Sequence, residues 1–107
     1  MAEDRILEVY KAGKLTVVGF GGEQNLDYVG VPECRDEITQ LVEQHKCTVL
    51  AFDLTGVKLL PSGMLGLLAS LRDLGVEVNV YNPSDDIREV LEITKLDQLI
   101  QVHRVEL

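Results

Sequence analysis

Residues 52–68 read Phe52-Asp53-Leu54-Thr55-Gly56-Val57-Lys58-Leu59-Leu60-Pro61-Ser62-Gly63-Met64-Leu65-Gly66-Leu67-Leu68. The front of this stretch closes an apolar run from Val49 to Leu54. Such a run predicts a strand covered on both faces, as in a parallel sheet, and its apolarity predicts a central position. The back opens an apolar helix carrying Met64, Leu65, Leu67, Leu68, Leu71 and Leu74, with Gly75 as its stop. Ser62 stands where that helix begins. Its plainest role is an N-cap, accepting a backbone N–H bond. A strand's carboxyl end beside a helix N-terminus is also the edge at which α/β sheets meet ligands and partners. A phosphate there would meet free N–H groups and the positive end of the helix dipole.

The flanking segments extend the alternation. Upstream, Ile6 to Tyr10 and Leu15 to Phe20 read as two strands joined by the turn Lys11-Ala12-Gly13-Lys14, an antiparallel hairpin. A loop rich in turn formers runs from Gly21 to Asp27. Pro32 suits the first turn of a helix, and Cys34, Ile38, Leu41, Val42 and His45 follow at helical spacing until just before Cys47. Downstream, Val76, Val78 and Val80 alternate with Glu77 and Asn79, a half-buried strand. Ser84 caps a further helix whose first turn holds Asp85 and Asp86 and whose inner stripe is Ile87, Val90, Leu91 and Thr94. Leu99 to Val102 forms a last edge strand. This order predicts an α/β domain with helices against a mixed sheet, through right-handed crossovers.

The chain has 107 residues, one domain's worth, large enough to fold without disulfide or metal. Charged residues at 26% and hydrophobic ones at 46% exclude a disordered chain. No run approaches a membrane span, and the acidic start lacks an export signal, so a cytoplasmic location is expected. Eighteen acidic against ten basic residues leave a net charge of −8 and no basic cluster. That argues against nucleic acid and against anionic membrane surfaces, and leaves solubility or a basic partner surface as its use. Cys34 and Cys47 lack a CxxC spacing and nearby histidine pairs, so reduced, buried thiols are expected rather than a zinc site. His45 and His103 stand in no motif with a nucleophile, and no phosphate-binding glycine pattern is present. A catalytic site, a metal site and a cofactor therefore have no support, and an enzyme built on Ser62 lacks a base.

Taken together, Asp53-Leu54-Thr55-Gly56-Val57, Ser62 heading an apolar helix, Gly75-Val76-Glu77-Val78, Asn82-Pro83-Ser84, Arg88-Glu89-Val90-Leu91 and Thr94-Lys95-Leu96-Asp97-Gln98-Leu99 resemble the STAS family, the anti-sigma factor antagonists. The resemblance runs over nearly the whole chain and implies a STAS-like α/β domain across residues 1–107. Its sheet would be mixed and mostly parallel, with helices mainly on one face. It implies a protein-binding regulator, a monomer or weak dimer without cofactor, whose partner is an anti-sigma factor that is also a serine kinase. Phosphorylation of the antagonist breaks that complex.

Aligned on Val57, the family's phosphoacceptor falls on Ser62. Pro61 stands in place of the family's Asp, Gly63 in place of its second Ser, and Met64 in place of its Gly, while Leu65 matches. The resemblance places the partner over Pro61, Gly63, Met64 and Leu65, with Asn25 and Asp27 in the loop beside them. Met64 is read either as an apolar anchor for the partner or as core. Asp53 is read as a carboxylate that positions the following loop through backbone N–H groups, since a buried carboxylate needs such bonds. The alternative within the same family is a constitutive scaffold or transporter-associated subunit in which Ser62 is never phosphorylated.

Overall fold

The computed structural model describes residues 7–22, 26 and 29–104. Glu8–Lys11 (β1) and Leu15–Gly19 (β2) form the expected antiparallel hairpin. Its turn is held by Thr16, whose hydroxyl donates to the Gly13 carbonyl at 2.9 Å. A register shift between Val9 and Lys11 interrupts the pairing. The helix Val31–His45 (α1) follows, with Pro32 in its first turn and Lys46 closing it in the left-handed region. Then come Val49–Asp53 (β3), Ser62–Ser70 (α2), Glu77–Tyr81 (β4), Asp85–Ile93 (α3) and Gln101–His103 (β5). Ile6, expected in the first strand, lies outside the described residues.

The sheet order is β1-β2-β3-β4-β5, and β2 to β5 are all parallel, so β3 is the central strand as its composition implies. The three crossovers step in one direction across the sheet, and with the usual right-handed sense such connections put all three helices on the same face. That face carries Val18, Leu50, Phe52, Val78 and Val80, which join Cys34, Ile38, Met64, Leu68, Leu71, Ile87 and Leu91 in one core cluster. The expectation that β3 is covered on both faces is corrected here. Its opposite side shows Val49, Ala51 and Asp53, and no helix packs on it among the described residues. Ala51 is buried there because it is small and stands among larger neighbours.

Two helix expectations also change. The apolar helix ends at Ser70, and Leu71–Leu74 is a separate 3₁₀ turn closed by Gly75 at φ 81°. A tighter turn brings Leu71 onto the core while Gly75 takes the left-handed conformation that a side chain resists. Thr94 is not part of the buried stripe of α3. It is exposed and donates to the Val90 carbonyl at 2.7 Å.

Candidate edge for partner docking

The carboxyl end of β3 feeds a loop, residues 54–61, that is tied down from both sides. Asp53 Oδ1 accepts from the Thr55 N–H at 3.0 Å and from the Thr55 hydroxyl at 2.6 Å. The Thr55 hydroxyl in turn accepts from Asn82 Nδ2 at 3.3 Å. The Leu54 N–H donates to the Tyr81 carbonyl, and the Val57 N–H to the Leu54 carbonyl. At Gly56, φ 85°, a Cβ would come within 3.1 Å of the Gly22 carbonyl oxygen. The turn needs glycine twice over, for its conformation and for this approach, and Gly22 is thereby placed beside the loop. Asn25 and Asp27, further along the Gly22 segment, lie outside the described residues.

Ser84 is the second tie. Its hydroxyl accepts from the Ile87 N–H at 3.1 Å, capping α3, and donates to the Lys58 carbonyl at 2.7 Å. Capping was legible in the sequence; the bond across to residue 58 was not. Ser84→Ala should cost about 0.5–2 kcal/mol, the range of a lost cap. Ser84→Asp restores the cap acceptor and leaves the Lys58 carbonyl unmet. Thermal unfolding of the three proteins should rank wild type, Ser84→Asp, Ser84→Ala.

At the head of α2 the N-cap is Pro61, φ −57° and ψ 149°, and no side chain caps the helix. Ser62 is the first helical residue and is exposed. The cap role for Ser62 is thus corrected. Proline cannot donate and its fixed φ suits the turn, so the chain enters the helix one residue earlier than a serine cap would allow. The Met64 and Leu65 N–H groups already turn back to the Pro61 carbonyl, at 2.9 and 3.3 Å. Ser62 and Gly63 belong to the opening N–H groups that a helix leaves without intrahelical acceptors.

The neighbours of Ser62 divide sharply. Gly63 is exposed, and a Cβ there would press on Val31 of α1 at 3.0 Å. Pro61 and Leu65 are half-buried. Met64 is 1% exposed and belongs to the core cluster. Of its two readings, the surface anchor is corrected: the buried residues of α2 are Met64, Leu67 and Leu68, and Met64 is one of them. The exposed apolar side chain of this edge is Leu59, at 57%. Leu59, Leu60, Leu65, Ile87 and Val90 line a shallow notch between the loop, α2 and α3. Nothing in the sequence separates Leu59 from Leu60; only the path of the loop does.

His45 is exposed in the last turn of α1, and His103 sits on the open side of the sheet, 2.7 Å from Asn79 Oδ1. Both cysteines are free and buried. Burial, and then the charge of Glu37, push the Cys34 thiol up to about 12, so it remains a protonated filler. Cys47 Sγ donates to the Val49 carbonyl at 3.1 Å. Among the described residues no three His, Cys, Asp or Glu side chains gather as metal ligands, and no helix is long and apolar enough to cross a membrane.

No curated protein matches the chain significantly. Among solved structures, the fold matches that titled "Structure of the Anti-Sigma Factor Antagonist SpoIIAA in its Unphosphorylated Form". The TM-score is 0.69 and the identity 22%, over 90% of this chain and 84% of that one. The family model of the STAS domain matches residues 7–106, and with strand order, loop and helix signals in agreement, the chain belongs to the STAS domain family.

Proposed function

We propose that this STAS domain, residues 1–107, is an anti-sigma factor antagonist that works by partner switching. Unmodified, it binds an anti-sigma factor that is also a serine kinase; a phosphate on Ser62 ends the complex. The observation that carries this reading is the placement of Ser62. It is exposed at the first turn of α2, beyond the carboxyl end of the central strand, on a loop braced by Asp53, Thr55, Asn82 and Ser84. A phosphoserine adds about −1.5 to −2 charge, which the helix end tolerates and a desolvated interface does not. The solved structure that shares this fold is of an anti-sigma factor antagonist in its unphosphorylated form.

The docking surface on this reading is Pro61, Ser62, Gly63 and Leu65, with Leu59 as the apolar contact in place of Met64. The proposal also includes Asn25 and Asp27, on the family resemblance alone, since both lie outside the described residues. The domain acts by binding in the cytoplasm and performs no turnover, since neither histidine stands where it could activate Ser62.

A second reading, a constitutive STAS module, draws on Pro61. The proline removes the carboxylate and the N–H that a kinase would meet beside the acceptor serine. Mass spectrometry of the protein from its own cells, across growth states, separates the two. A phosphate on Ser62 in some states supports switching, and its absence in all of them supports the constitutive module. Leu59→Glu should weaken partner binding at least tenfold with an unchanged melting temperature. Unaltered affinity would place the partner elsewhere.

A further inference from the structure

The side of the sheet that the helices leave bare has its own relief. Leu15, Val17, Ala51, Asp53, Tyr81 and Asn82 line a depression of about 290 Å³, close to the lower end of the range of small-molecule sites, roughly 300–1,000 Å³. Val17 and Ala51 are register partners on β2 and β3 and form its floor. Leu15, 38% exposed, and Tyr81 form its walls, and Asp53 with Asn82 marks its polar end. The depression exists because Ala51 is a methyl group among longer side chains.

We propose that this hollow binds an organic amine, with its apolar body on Leu15 and Val17, its flat face against Tyr81 and its ammonium group on Asp53. Three features support the choice. First, the sign of the charge is set. The acidic residues in register on this side are Glu8, Asp53 and Glu77; Lys11, paired with Val17, stands on the outer strand, and His103 is in the row of Asp53 and Tyr81. On a chain of net charge −8, that balance favours a cation over an anion. Second, Asp53 has capacity to accept. The bonds from Thr55 both fall on Oδ1, and a carboxylate offers about four acceptor positions. Third, the aromatic wall is already ordered. His103 stacks on Tyr81 at 4.6 Å between ring centres and 17° between planes.

The His103 ring is itself fixed. Its Nε2 lies 2.7 Å from Asn79 Oδ1, while Asn79 Nδ2 donates to Glu77 Oε2 at 3.0 Å. An amide oxygen only accepts, so Nε2 carries the proton. A wall fixed in this way loses little freedom when a ring settles on it, and an aromatic face attracts a cation. A second copy of the chain is the less suitable occupant, because face-to-face pairing would bring the same carboxylates together. The site is independent of the partner reading, although it shares Asp53 with the loop leading to Ser62.

Tryptamine, an indole with a primary amine, is the probe, with indole-3-propionate as its anionic counterpart. Titration of ¹⁵N-labelled protein with tryptamine should give saturable one-to-one shifts centred on Val17, Ala51, Asp53 and Tyr81. Indole-3-propionate should bind at least tenfold more weakly. Asp53→Asn should weaken tryptamine at least tenfold, and Ala51→Leu, which fills the floor, should abolish its binding. If Ala51→Leu does not fold, Val17→Lys on the half-buried floor serves instead, by placing a like charge under the ammonium. Absence of saturable shifts, equal affinity for the amine and the acid, or shifts centred elsewhere would overturn the proposal. So would the same residues shifting with protein concentration alone, which would make the hollow a contact between copies.

Discussion

Ser62→Asp should melt at or above the wild-type temperature and, on the partner-switching proposal, lose binding to an anti-sigma factor. Ser62 is exposed and no hydrogen bond of the fold runs through its side chain as a cap, so the substitution removes nothing that holds α2. A carboxylate at the first helical position meets the positive end of the helix, a gain of about 0.3–1 kcal/mol. Across an interface the same charge must be desolvated, and without a cation opposite it costs several kcal/mol. Every 1.4 kcal/mol is about tenfold in affinity, so binding should fall at least a hundredfold. Ser62→Ala should keep the partner and the stability, within about 0.5 kcal/mol, as for surface positions without a special role. Calorimetry of binding beside thermal unfolding checks all three proteins. Equal affinities for wild type, Ser62→Ala and Ser62→Asp would remove Ser62 from the switch and favour the constitutive module.

Met64→Glu, by contrast, should unfold the domain. Two residues beyond Ser62, the chain is in the core rather than at the surface. Truncating a buried Met costs about 2–5 kcal/mol. An unpaired carboxylate in its place adds a penalty of the same order, about 3–5 kcal/mol by analogy with half of a broken buried pair. Together these losses are comparable with the total stability of a domain in the lower half of the usual range, about 5–15 kcal/mol. Met64→Leu nearly conserves volume and should cost under about 1.5 kcal/mol. Circular dichroism and amide dispersion of the two variants give the result. A Met64→Glu protein with native dispersion and a near-native melting temperature would mean that position 64 has access to water, restoring Met64 as a candidate contact. The two positions should therefore contrast: charge at 62 is expected to act on binding alone, and charge at 64 on folding.

The elements of this fold are legible in the chain because their periodicities are strong. Alternation at Val76, Val78 and Val80, helical spacing from Cys34 to Val42, and the dense run at β3 each lead to the element observed. The errors have a common origin. An apolar run says that a strand is buried, but not by what; Ala51 and Val49 read as covered, whereas one is small and the other only half-buried. Serine before an apolar helix reads as a cap, yet the preceding proline had already set the turn. Leu59 and Met64 are both apolar residues near Ser62, and their assignment to surface or core depends on helix phase and loop path, which local sequence does not encode. The same holds for Ser84, whose bond to the Lys58 carbonyl spans 26 positions of chain.

Strand order has a kinetic consequence. Every strand pairs with its neighbour in sequence, and the widest pairing, Leu15 with Val49, is 34 residues apart; Val49 with Glu77 is 28 and Asn79 with Gln101 is 22. No strand must be threaded between two that are already joined. Loop-closure entropy rises only slowly with length, so these three closures are of similar difficulty. Folding can then proceed by accretion outward from β2 and β3, each added unit finding a finished edge, at the intermediate rates of mixed α/β domains rather than the slow rates of long-range β topologies. The unit built around β5 is the last addition to such a sequence, and its loss would shorten the sheet without removing the strands on which the rest assembles.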